Sequence, residues 1–282
     1  MDKKINFQVY RYHLLPIDKS TRQVEAFPEK TYTHEQLKEN KNKFFAEILD
    51  NLVDNKNKSH PLKLEHSEKG YYLFKIAQKK RTTITKNFKN TYIPNEPYCY
   101  VIFNNDESVQ KIAIGENIDA FGKPDTVKNI LKKVFKRDLE NYGLNIEIEQ
   151  MFDSINFWEY VKKYDDQITL VNFKFIKPNL ANISKSLPED FKEFADNVNS
   201  HESHIVIKAP EKGILENISP NNLAVNGLVE YSANGAGSIK LKVKSIRKQI
   251  NTQEKPLILE VKELDIEGTA EQVIKLYKSM VE

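Results

Sequence analysis

Residues 124–149 read PDTVKNILKKVFKRDLENYGLNIEIE, and this one stretch decides the fold class. Val127, Ile130, Leu131, Val134, Phe135 and Tyr142 recur at helical spacing, so they share one face of a helix. Pro124 suits its first turn and Gly143 the position just past its end. The period then switches from 3.6 to 2. Leu144-Asn145-Ile146-Glu147-Ile148-Glu149 alternates apolar and charged residues, the pattern of a half-buried strand. A helix running directly into a strand, in a chain that mixes both throughout, predicts an α+β protein.

The same reading extends outward. Asn6 to Tyr12 alternates as a strand. Thr33-His34-Glu35-Gln36 has the form of a capping box, with Thr33 as N-cap, and opens a helix through Leu52. Tyr71 to Ile76 is strand-like, Gln78-Lys79-Lys80-Arg81 reads as its polar turn, and Thr82 to Thr85 as the returning strand. Tyr98 to Phe103 reads as a buried strand. Val109, Ile112 and Ala113 fit a short helix. Phe157 to Val161 reads as a short aromatic helix whose Phe157, Trp158 and Tyr160 pack in the core or in a dimer seam, and its apolar surplus predicts a dimer. Ile168 to Ile176 is the clearest strand. Beyond it lie a helix (Glu189 to Asn199), a strand (His204 to Ala209), a helix (Pro220 to Tyr231), a strand (Ile239 to Lys244), a strand (Leu257 to Val261) and a closing helix (Thr269 to Met280). A loose break at Pro178 to Pro188 divides the chain into an N-terminal α+β domain, 1–178, and a smaller C-terminal α+β domain with a basic strand, 179–282. The 282 residues suit two domains at about 150 each.

Composition excludes several classes. No apolar run reaches the ~18 residues of a membrane span, so no membrane insertion is expected. A single cysteine, Cys99, rules out an internal disulfide framework or a cysteine zinc cluster. Cys99 lies in an apolar strand and reads as an inert core thiol. The first residues, Met1-Asp2-Lys3-Lys4-Ile5-Asn6, lack the apolar segment of a secretory leader, so a cytoplasmic address is expected.

The net charge is only +3, from 43 basic and 40 acidic residues. The arrangement says more. Residues 69–95 carry Lys69, Lys75, Lys79, Lys80, Arg81, Lys86 and Lys89 without one acid. Residues 236–250 carry Lys240, Lys242, Lys244, Arg247 and Lys248, again without an acid. In the second stretch Ile239, Leu241 and Val243 alternate with the lysines, so the lysines share one face. Successive lysines then stand roughly 6.6 Å apart, close to the ~6.8 Å that two nucleotides of one DNA strand advance. A solvated face, or an edge strand guarded by lysine, is the competing reading.

Other constellations are thinner. Asn234-Gly235-Ala236-Gly237 precedes a strand, whereas a phosphate loop opens a helix; it reads as a flexible turn. Glu260 and Lys262 are half of a metal-nuclease pattern, but no Asp occurs between Asp196 and Asp265 to complete it. His201 and His204 have ligand-like spacing with no third ligand nearby. No metal and no cofactor are expected.

The order of elements resembles a family of bacterial anti-phage defence proteins, the lambda exclusion protein RexA and, more loosely, KwaB of the Kiwa system. The likeness runs through the Phe7-Gln8-Val9-Tyr10-Arg11 strand and the basic Leu73-Phe74-Lys75 to Lys79-Lys80-Arg81 hairpin. It continues through the apolar strand at Tyr100 to Phe103, the long amphipathic helix, Ile146 to Glu149, Val171 to Phe175 and a basic C-terminal half. It implies a dimeric DNA-binding component of a defence system, acting with a partner defence protein and without recognisable enzymic machinery. It transfers no residue. The site residues expected for DNA are therefore Lys240, Lys242, Lys244, Arg247 and Lys248, with Lys79, Lys80 and Arg81 second. Two other classes remain: a nuclease or nucleotide-processing enzyme with an unfamiliar site, and a protein-binding sensor or scaffold.

Overall fold

The structure is a computed structural model, and it describes residues 3–20, 22–24, 27–52, 59–177, 185–268 and 270–281. In chain order its elements begin with β1 (Lys4–Pro16), β2 (Arg22–Val24), β3 (Phe27–Tyr32), α1 (His34–Asp50), β4 (Leu62–Glu68) and β5 (Tyr71–Ala77). Then come β6 (Lys80–Lys86), β7 (Lys89–Asn95), β8 (Tyr98–Asn104), β9 (Lys111–Gly115), α2 (Pro124–Glu140), β10 (Leu144–Gln150) and α3 (Ser154–Lys163). The remainder is β11 (Ile168–Ile176), α4 (Glu189–Asn197), β12 (Glu202–Lys208), α5 (Leu223–Tyr231), β13 (Gly237–Val243), β14 (Ile250–Asn251), β15 (Ile258–Lys262), α6 (Glu263–Ile266) and α7 (Ala270–Val281). The α+β class follows directly.

β1 organises the larger sheet. Its one flank pairs with β9, and its other flank takes β15 along Lys4–Gln8 and β10 along Tyr10–Pro16. Beyond β9 the sheet continues through β8, β5 and β4, every pairing antiparallel. Alternation sends Tyr10, Tyr12 and Leu14 to one face, where α1 and α2 supply Phe44, Phe45, Leu131 and Phe135. The capping box forms: Gln36 N–H donates to Thr33 Oγ1 at 3.2 Å and Thr33 N–H to Gln36 Oε1 at 2.9 Å. The opposite face carries Ile5, Phe7, Leu73 and Ile102, covered by Val273, Tyr277 and Met280 of α7.

The smaller sheet runs β12-β11-β13-β14. On one face Val171, Phe173, Phe175, Ile239 and Leu241 pack against α3 and α5; the other face is exposed at Lys208, Lys240 and Lys242 and buried at Ser238. Phe157 and Val161 of α3 are buried in this core. Phe157 and Val161 thus serve the core, while Trp158 and Tyr160 of the same helix pack against it and stay partly exposed.

Three local expectations differ from the structure. Val109 to Ala113 is not helical; Lys111–Gly115 is β9. Its apolar residues are consecutive because helices cover both faces, Ile112 and Ile114 on one side and Ala113 on the other. Thr82 to Thr85 does not return along β5. It belongs to β6, which among the described residues pairs with β7 alone, while β5 lies between β4 and β8. Across position 178, β11 pairs with both β12 and β13, and β15 pairs with β1. Residues 178–184 of that expected break, and Thr269 of the closing helix, lie outside the described residues.

The third difference is Asn234 to Gly237. Instead of an open flexible turn, the chain leaves α5 through a kink at Gly235, whose φ of +79° is not helical, with Ser232, Ala233, Gly235 and Ala236 buried. A Cβ on Gly235, whose φ is +79°, would lie 2.6 Å from Arg11 Cβ; one on Gly237 would lie 1.9 Å from the Lys174 oxygen. These glycines allow close approach, but the backbones that approach are this chain's own β1 and β11. Arg11 and His13 complete the joint. Arg11 Nε donates to the Asn234 oxygen and Arg11 Nη1 to the Val109 oxygen, both at 2.6 Å, and His13 Nε2 sits 2.8 Å from the Gly235 oxygen. Burial lowers the Arg11 pKa to about 10.

Candidate nucleic-acid interface

The alternation read in β13 is carried out. Ile239, Leu241 and Val243 are buried, while Lys240, Lys242 and Lys244 are exposed. Strand pairing extends this face across the sheet, because residues opposite one another in an antiparallel ladder point the same way. Lys242 stands opposite Leu170 of β11, and Leu170 opposite Lys208 of β12. Lys240 stands opposite Asn172, and Asn172 opposite Val206. These two rows hold no carboxylate. Lys242 and Lys208 are two strands apart, roughly 10 Å. The sequence reading missed Lys208, since only the register of β11 brings it beside β13.

The third row is different. Ser238 stands opposite Lys174, and Lys174 opposite His204. Lys174 Nζ contacts Glu149 at 2.9 Å and Glu202 at 3.0 Å. Burial pulls the Lys174 pKa down, but the two carboxylates outweigh it and the net shift is upward. His204 Nε2 also meets Glu202, at 2.9 Å. That end of the face is charge-balanced, and the unbalanced positive charge lies toward Lys240, Lys242 and Lys208.

The remaining basic residues divide. Lys244 Nζ donates to the Lys212 main-chain oxygen at 3.0 Å, which holds it beside the strand end. Lys248 pairs with Glu254 at 2.6 Å, so its charge is largely compensated. Arg247 is exposed. Lys79, Lys80 and Arg81 are exposed at the start of the β6–β7 hairpin, and Lys80 Nζ donates to the Asp119 oxygen at 2.7 Å. The hairpin and β13 belong to different sheets, with no pairing between them.

Glu260 is exposed on β15 and pairs with Lys4 at 2.6 Å. His201 turns to the Pro16 oxygen while His204 meets Glu202 and Asn172, so the two rings do not converge. Among the described residues no group of three or more His, Cys, Asp or Glu side chains could hold a metal ion. Cys99 is buried, and burial pushes its thiol pKa up to about 12. Among the described residues no helix is long and apolar enough to cross a membrane. No protein-family model matches the chain, and no curated protein matches it.

Proposed function

We propose that the protein binds DNA with little sequence preference through the open face of the smaller sheet. The observation that supports this most is the pair of carboxylate-free rows carrying Lys240, Lys242 and Lys208 on one uncovered face, flanked by Lys244 and Arg247. A cationic row in water attracts phosphate by releasing condensed counterions, a contribution blind to base sequence. The spacing along β13 matches alternate phosphates of one strand. Lys248, tied to Glu254, is a peripheral member. The setting is the one the resemblance implies: a cytoplasmic, dimeric component of anti-phage defence, acting beside a partner defence protein.

The experiment is a gel-shift titration across salt on two duplexes of unrelated sequence, with the parent and the combined change of Lys240, Lys242 and Lys244 to Glu. The parent binds both duplexes alike with a steep salt slope, and the triple variant loses binding while keeping its unfolding midpoint. A folded triple variant that binds like the parent would falsify the site. A companion plaque assay in a susceptible host reads the setting: protection by the parent and none by the triple variant.

A further inference from the structure

The β6–β7 hairpin is exposed along all fourteen of its strand residues. Among the described residues its strands pair with each other and with no third strand, as β2 and β3 also do. Seven consecutive register pairs run out to Lys86 opposite Lys89. Asn87 and Phe88 close the turn with φ of +52° and +61°. Two left-handed central residues make the primed turn that suits a twisted hairpin, a turn in which Asn is favoured first and glycine second. Here the second position holds Phe88, fully exposed at the tip. An aromatic ring in water, on a backbone conformation that penalises any Cβ, contributes nothing to folding. Its chemistry points outward.

The surroundings of the tip identify the partner. Lys86 and Lys89 flank Phe88, and Lys80 and Arg81 stand at the base, in a segment without one acid from residue 69 to residue 95. Pairing places Lys80, Ile84 and Lys86 with Lys89 and Ile93 on one face, and Arg81 with Tyr92 on the other. A two-stranded ribbon is narrow enough for a DNA groove. Proteins that deform duplex DNA place an apolar wedge between base steps while cations hold the adjoining phosphates.

We infer that the β6–β7 hairpin is a DNA-deforming arm, with Phe88 inserted at a base step of duplex DNA and Lys86 and Lys89 on the phosphates either side. This rests on the DNA-binding reading above, and it adds a deformation which the sheet face alone would not produce. The sheet face holds the backbone; the arm unstacks and bends the duplex.

The test uses the full chain and a short duplex carrying donor and acceptor dyes at its ends and 2-aminopurine within. The parent brings the ends together and raises 2-aminopurine fluorescence. Phe88→Trp keeps both signals. Phe88→Gly, which relieves the turn, keeps or raises the unfolding midpoint, binds roughly tenfold more weakly through the lost stacking, and leaves the duplex straight. A parent that binds the duplex but leaves it straight overturns the arm while the sheet-face reading stands. So does Phe88→Gly bending DNA as the parent does. A parent that binds no duplex at any salt overturns both. If Phe88→Gly bends DNA normally but releases vesicles of phosphatidylcholine and phosphatidylglycerol that the parent retains, the arm serves a membrane surface and the inference fails.

Discussion

Arg11 Nε donates to the main-chain oxygen of Asn234 at 2.6 Å, joining residues 223 positions apart. The bond ties the centre of the larger sheet to the turn that launches β13. Through it the basic strand is fixed to the body of the protein. Gly235 is what lets Arg11 come so close, since any side chain there would enter the space of Arg11 Cβ and Met151 Cγ.

Gly235→Ala therefore tests the joint. Both a φ of +79° and a Cβ within 2.6 Å of Arg11 act against it. The expected loss is about 2–4 kcal/mol in urea unfolding. Gly122→Ala is the control, because Gly122 has a φ of +73° but open space around its Cβ. It should lose about 1–2 kcal/mol, the conformational part alone. Equal losses at the two sites would show that packing at the joint is unimportant.

Single lysine changes should separate by their partners. Lys240→Ala, Lys242→Ala and Lys208→Ala each lower the salt slope of DNA binding by about 0.9, the value for one phosphate contact. Lys248→Ala changes it less, because Glu254 already compensates that charge. All four stay within about 0.5 kcal/mol of parental stability, as exposed substitutions do. A slope that falls for Lys248 but not for Lys208 would move the contact away from the sheet face.

Lys41 predicts a pH dependence of stability. Burial lowers its pKa to about 8 from an ordinary value of 10.5, with Glu107 opposing and Lys38 adding to the shift. Between those values the unfolded chain holds the proton and the folded chain has released it. Stability contributed by this group therefore rises with pH through that window, at up to about 1.4 kcal/mol per unit. Below pH 8 the cost of burying the ammonium is fully present. Lys41→Met should be more stable than the parent at pH 7, and the gap should narrow by pH 10. A gap independent of pH would mean that Lys41 keeps its proton in the fold.

Cys99 should be silent in the native protein. Its thiol is buried and its pKa is pushed up to about 12, so little thiolate exists at neutral pH and reagents cannot reach it. Labelling by a disulfide reagent at pH 8 should follow the unfolding rate, becoming immediate in denaturant. Fast labelling of the folded chain would contradict the burial.

Features with local causes were readable in the chain. The Thr33–Gln36 box, the helix after Pro124 and the alternation of Leu144 to Glu149 each depend on neighbours a few residues away, and each formed. The lysine face of β13 belongs with them, because a period of 2 beside buried Ile239, Leu241 and Val243 forces Lys240 and Lys242 outward whatever the sheet order. β9 was less legible. A strand covered on both faces loses its alternation, and Val109, Ile112 and Ala113 then also satisfy a helical spacing.

What tertiary structure alone decided are the relations between distant segments. Lys208 joins the lysine face because β11 sits between β12 and β13. Asn234 to Gly237 carries the local chemistry of a flexible turn, yet burial against Arg11 and Lys174 holds it in one conformation. The exposure of Phe88 likewise depends on β6 pairing with β7 instead of β5. Periodicity records which face of an element is buried; it carries no information about which other element buries it, because apolar burial is non-directional and strand partners are chosen by the packing of the whole chain.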